Sequence, residues 1–125
     1  MKEIEVQNAR IASTTLGVED HGIFSCWLTL DYGGSGQGFG GYCLDAPVMA
    51  EDGTFLRREG AAYGAEFIIR VLKTVGVEKW EDLKGQYIRV RTKTIDGRIL
   101  AIGHILEDRW FEPEFDLRHL AAREG

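Results

Sequence analysis

The alternation of apolar and polar positions is clearest between Ile23 and Tyr32. Phe24, Cys26, Leu28 and Leu30 fall on one face and Ser25, Thr29 and Asp31 on the other, the period-two pattern of a half-buried strand. Trp27 lies on the polar side of that pattern. A large aromatic ring there predicts a second contact surface, for a ligand or for a partner subunit. Upstream, Ile4 to Leu16 is rich in β-branched residues and free of Gly and Pro, which predicts one or two strands, and Gly17 to Gly22 predicts a turn.

Further along the chain the period changes. Gly64, Phe67, Ile68, Val71, Leu72 and Val75 recur at three- and four-residue steps, predicting a helix over 60–76 that Gly76 ends. Glu66 and Arg70 make a favourable i,i+4 pair on its outer side. Asp45 to Glu59 carries Pro47, Gly53 and charged pairs and reads as a loop, while Glu78 to Leu83 reads as a short helical turn folding Trp80 onto the core.

Asp96-Gly97 sits between two β-rich runs, a strong hairpin signal. A turn centred there opposes Arg89 to His104, Val90 to Gly103 and Arg91 to Ile102. One face then holds Ile88, Val90, Ala101, Gly103 and Ile105 as a bed for the helix. The other holds Tyr87, Arg89, Arg91, Lys93 and His104, which suits either a solvated sheet surface or a pyrophosphate gripped by planar guanidinium forks. Glu107 to Pro113 breaks the strand pattern, and Pro113 opens a C-terminal helix reaching about Arg123. Trp110 and Phe111, with Arg109, offer stacking for a base or plug the space between sheet and last helix. The whole predicts an α+β fold: an antiparallel sheet of about five to six strands against one long helix, with a short C-terminal helix, in one ligand-binding domain over 1–125.

A length of 125 residues with 44% apolar content suits one core. Met1-Lys2-Glu3 leads straight into alternating residues, so no secretory signal is read, and the most apolar run, Phe67 to Val75, is too short to span a bilayer. Cys26 and Cys43 have no metal or redox spacing, sit in apolar strand patterns and read as free buried thiols in a reducing cytosol. A net charge of −5 argues against a nucleic-acid polymer as partner but leaves room for a small phosphorylated ligand held by local arginines.

Tyr32 to Tyr42 is dominated by glycine, interrupted by Ser35, Gln37 and Phe39. Gly36 to Gly41 formally fits G-x-G-x-x-G, but Tyr42-Cys43-Leu44 continues as strand where a dinucleotide fold needs a helix, so a Rossmann reading is rejected. A glycine-rich turn with bare N–H groups can receive a phosphate, or it is a hairpin tip followed by a bulged strand packed on a neighbour. No catalytic constellation assembles. His21, His104 and His119 lie on separate elements without a metal-ligand spacing, and no serine sits in a nucleophile elbow. Binding is favoured over turnover. The alternatives are a small phosphodiesterase using Asp20, His21 and Asp45, or a structural or adaptor subunit whose Trp27 and glycine loop only pack against other subunits.

Several blocks together resemble the first type of Thoeris anti-defence proteins. They are Ile11 to Gly17, Glu19-Asp20-His21-Gly22-Ile23, Asp31-Tyr32-Gly33-Gly34, Gln37 to Tyr42, Arg70 to Val77, and Ile102 to Phe111. The resemblance spans nearly the whole chain. It implies a non-enzymatic phage protein, working in the cytoplasm of an infected bacterium. Such a protein sequesters glycocyclic ADP-ribose and so keeps the Thoeris effector silent. It further implies a homodimer with sites between protomers, assembly to a hexamer in some members, cyclic trinucleotides at separate sites in some, and no cofactor. Within those blocks and the neighbouring basic positions, Phe24, Phe39, Arg109 and Trp110 are the stacking candidates. Arg57, Arg89, Arg91 and the glycine backbone around Gly38 are the phosphate candidates, with Asp20, His21, Gln37 and His104 facing ribose hydroxyls or the adenine edge.

Overall fold

The structure, a computed structural model, describes residues 5–93 and 97–120, and at Asp20 the backbone alone. It is α+β. Six antiparallel strands form one sheet in the order β3-β2-β1-β6-β7-β8, and β4 and β5 form a separate two-stranded ribbon. The strands are β1 (Glu5–Asp20), β2 (Ile23–Asp31), β3 (Gly36–Gly40), β4 (Asp45–Met49), β5 (Phe55–Gly60), β6 (Tyr87–Thr92), β7 (Ile99–His104) and β8 (Trp110–Phe111). Helix α1 covers Ala62–Val75, a short 3-10 turn covers Trp80–Asp82, and α2 covers Pro113–Asp116.

The strand at Ile23–Asp31 and the helical stripe form as the periodicity predicts. Cys26, Leu28 and Leu30 are buried, while Trp27 stands out of the opposite face, 44% exposed. Phe67 and Val71 of α1 are fully buried, the Glu66–Arg70 pair closes at 3.1 Å, and Gly76 ends the helix in the left-handed conformation at φ 95. Phe67 ties the layers together. Its ring lies 6.0 Å from that of Phe39 on one edge strand and 5.2 Å from that of Phe111 on the other, so one helical side chain reaches both edges of the sheet.

The segment Tyr42-Cys43-Leu44, expected to continue as strand with a buried thiol, lies beyond the end of β3 at Gly40, and Cys43 is exposed. Four further expectations are corrected. The predicted turn at Gly17–Gly22 is mostly strand: β1 runs on to Asp20, with Gly17 opposite Ser25, and only His21 and Gly22 turn, at φ 56 and 75. Positive φ at both central residues is what a tight primed hairpin turn requires, which assigns His21 a backbone role. The predicted loop over Asp45–Glu59 is the β4–β5 ribbon. Pro47 fits within it because a two-stranded ribbon has edges that tolerate a missing N–H. The stretch after Glu107 includes a further strand, β8, in which Trp110 opposes Gly103 and Phe111 opposes Ile102.

The last correction changes the faces. Arg89 opposes Gly103, Val90 opposes Ile102 and Ile88 opposes His104, one residue away from the expected register, with a further shift between Arg91 and Thr92. Directly opposed residues share a face, so His104 moves to the core side with Ile88, while Gly103 and Ala101 join Arg89 and Arg91 on the outer side. The Asp96-Gly97 turn centre itself falls at the edge of 94–96, outside the described residues, as does the last part of the expected C-terminal helix. Among the described residues no helix is long and apolar enough to cross a membrane.

Candidate functional site

The corner where β6, β7 and β8 meet gathers three of the predicted residues on the outer face of the sheet. Gly103 leaves a gap between Arg89 and Trp110, and the Trp110 indole fills it so closely that a Cβ on Gly103 would stand 2.6 Å from its Cε3. The guanidinium carbons of Arg89 and Arg91 lie 4.8 and 4.2 Å from the Trp110 ring centroid. Two like charges are thus held against one indole ring, which offsets part of their repulsion.

The two arginines differ in what they are tied to. Arg89 donates through Nε to the carbonyl of His104 and through Nη2 to that of Glu107, each at 2.8 Å, and so braces the β7–β8 turn. Arg91 has no ion pair among the described residues, and its Nε is buried without a hydrogen-bond partner. A buried donor left unmade costs free energy, and on a cation the deficit is larger.

His104 and Arg109 do not join this cluster. His104 Nδ1 accepts the backbone N–H groups of Leu106 and Glu107, both at 3.0 Å, which leaves its proton on Nε2. Its ring faces the end of α1, where a Cβ on Gly76 would lie 3.6 Å from His104 Nε2 and 3.1 Å from Arg109 Nη2. Arg109 pairs with Glu107 and its Nη2 lies 3.5 Å from the carbonyl oxygen of Thr74. A cation near the last carbonyls of a helix complements the dipole there. These two side chains fasten the β7–β8 turn to α1.

The remaining candidates are dispersed. Phe39 is 2% exposed and stacked on Phe67, so its ring belongs to the core. Phe24 is half-buried against that core. Gln37 donates through Nε2 to the carbonyl of Gly97 at 3.0 Å, fastening edge strand β3 to the start of β7. Gly38 packs beneath Trp27, Arg57 pairs with Glu59 on the exposed ribbon at 3.5 Å, and His21 sits in its turn. The Asp20 side chain lies outside the described atoms.

Asp45, the third member of the alternative hydrolytic set, is buried and engaged. Its Oδ1 accepts Nε and Nη2 of Arg58 at 2.9 and 2.8 Å, and its Oδ2 accepts the N–H of Phe24 at 3.2 Å. The Arg58 hydrogen bonds hold its carboxyl below the usual carboxylate range. Among the described residues no group of three or more His, Cys, Asp or Glu is arranged to hold a metal ion.

A second concavity escaped the sequence reading. Trp27 lies against Gly38 and Gly41, where an added Cβ would meet its ring at 2.9 and 2.6 Å, and the space beside it is bordered by Tyr42 and Arg98. The exposed tryptophan and the glycine run were both visible in the sequence. Their mutual packing follows only from the β2–β3 register, which sets Trp27 opposite Gly40. A scan against protein-family models, a search of curated proteins and a search of solved structures each return no match to the chain.

Proposed function

We propose that this protein binds and sequesters a cyclic ADP-ribose-derived signal, glycocyclic ADP-ribose, without cleaving it. In this reading it is a phage anti-defence sponge that works in the host cytoplasm and keeps a Thoeris effector from being switched on. The observation that carries the reading is the pair Arg89 and Arg91 against Trp110, with Arg91 Nε buried and unsatisfied. The ligand has a pyrophosphate to pair with the guanidinium charges and an adenine to stack on the guanidinium–indole cluster. Guanidinium forks match phosphate oxygens in plane and spacing, and a fixed ring offers stacking with little further ordering. The block resemblance points to the same ligand, and the engagement of Asp45 by Arg58 favours holding over hydrolysis.

An effective sponge works at sub-micromolar ligand, which requires roughly −8 kcal/mol or better. Arg89, Arg91 and Trp110 are each part-exposed in one protomer, so enclosure by a second protomer belongs to the proposal. The β4–β5 ribbon supplies apolar surface for a homodimer, since Met49, Phe55 and Leu56 are each more than half exposed. Assembly to a hexamer and capture of cyclic trinucleotides extend the same proposal.

The test is recovery of the ligand. Glycocyclic ADP-ribose is incubated with excess protein, the protein is heat-denatured, and the supernatant is analysed. Intact ligand released only on heating supports the reading. Hydrolysed product, lost in Asp45→Ala, supports the phosphodiesterase instead.

A further inference from the structure

On the outer face of the sheet, where edge strand β3 meets the start of β7, the β2–β3 pairing builds an aromatic platform that the corner site does not use. Trp27 is 44% exposed but has little freedom to move. Its indole is seated on glycine backbone, and side chains at Gly38 or Gly41 would collide with it at 2.9 and 2.6 Å. An exposed indole fixed in this way keeps one face for a visitor and loses little entropy in receiving it. Beside it is a cavity of about 380 Å³, bordered by Gln37, Tyr42, Arg98 and Ile99 besides Trp27 and its glycines. That volume lies toward the lower end for small-molecule sites.

The cavity also holds one cation. Arg98 lies with its guanidinium carbon 5.7 Å from the centroid of the Tyr42 ring, and its Nη2 is 3.3 Å from the Tyr42 hydroxyl. Burial raises the Tyr42 hydroxyl above its ordinary range, so it stays protonated and leaves the charge of Arg98 uncancelled. The only carboxylate paired with Arg98 among the described residues is Glu114 of α2, at 2.7 Å. Both side chains of that pair are more than half exposed, so it is readily exchanged for another anion.

We infer that this cavity is a second site, for a purine mononucleotide, with the base on Trp27 and the phosphate on Arg98 in place of Glu114. A bicyclic base matches the area of the indole face, and a single guanidinium suits a single phosphate. The flanking glycines leave the backbone open to the sugar. Glu114 then acts as a tethered competitor that lowers affinity for the anion.

The proposal is tested by titrating adenosine and guanosine 5′-monophosphates into the full chain by calorimetry. Glu114→Gln is expected to bind at least one of them three- to tenfold more tightly than the parent. Arg98→Ala is expected to lose at least tenfold, with every comparison repeated in an Arg91→Met background so that the corner adds no signal. Absence of binding by the parent and by Glu114→Gln at millimolar nucleotide overturns the site, and so does binding that Arg91→Met abolishes and Arg98→Ala leaves unchanged. Because Arg98 and Glu114 are exposed, their variants keep the fold, and melting curves verify it. The outcome is independent of whether the Arg91 corner takes glycocyclic ADP-ribose.

Discussion

Trp110 lies on Gly103 with no room between them for a side chain: a Cβ there would sit 2.6 Å from the indole. The tryptophan is therefore positioned by the absence of a group on the strand beneath it. Gly103→Ala should push the indole off the sheet and away from both arginines. We expect a loss of about 1–3 kcal/mol in stability, typical of over-packing, together with weaker binding of glycocyclic ADP-ribose. A variant that melts lower but binds as the parent does removes Trp110 from the site.

Arg89 and Arg91 should separate structural from ligand-binding roles. Arg89 satisfies two carbonyls of the β7–β8 turn, so Arg89→Ala should lower the melting temperature through loss of those hydrogen bonds. Arg91 has an unmade bond and no carboxylate partner among the described residues. Arg91→Met keeps the aliphatic stem, and its melting temperature should equal or exceed the parent's. Its affinity for glycocyclic ADP-ribose should fall ten- to a hundredfold, about 1.4–2.8 kcal/mol. Thermal unfolding and calorimetry on the two variants measure both quantities.

Asp45 gives stability a dependence on acid. Its folded pKa is lowered, first by the Arg58 hydrogen bonds, so its contribution is complete above the unfolded carboxylate value of about 4. The contribution fades as pH falls through the lower folded value. Asp45→Asn should melt about 5–10 °C below the parent at pH 7, and the gap should narrow below pH 4. A gap that stays constant down to pH 2 contradicts this assignment.

Phe67 contacts rings from both edges of the sheet and is fully buried. Phe67→Ala should cost roughly 3–5 kcal/mol by leaving a cavity where α1 meets both edge strands. Chemical denaturation measures it, and an unchanged midpoint would mean that α1 presents a different face to the sheet.

Elements with a sustained period were legible from the residues alone. The face of β2, the stripe of α1, the Gly76 stop and the Glu66–Arg70 pair all rest on spacing within one element. What was hidden depends on how elements meet. The β4–β5 ribbon carries Pro47 and the charged Arg57 and Arg58, which mask a strand pattern, and it is tied to β2 by Asp45, which accepts the N–H of Phe24 while pairing with Arg58 across the ribbon. The shift that opposes Thr92 to Ile99 just beyond the Arg91–Ala101 pair has no local signature, yet the one-residue register difference moves His104 from the arginine face to the core face. For the same reason Arg89, Arg91 and Trp110 could be named as candidates, whereas Gly103 as their common floor could not. Phe39 shows the converse error, since an aromatic residue in a glycine-rich segment looked available but is consumed by packing on Phe67.

The central claim is retention of an unaltered messenger, and equilibrium dialysis of glycocyclic ADP-ribose against the purified protein tests it most directly. The account predicts sub-micromolar retention by the parent, marked loss with Arg91→Met, and full chemical recovery of the ligand after denaturation. Free passage of the ligand through the parent sample, or its return in cleaved form, contradicts the account.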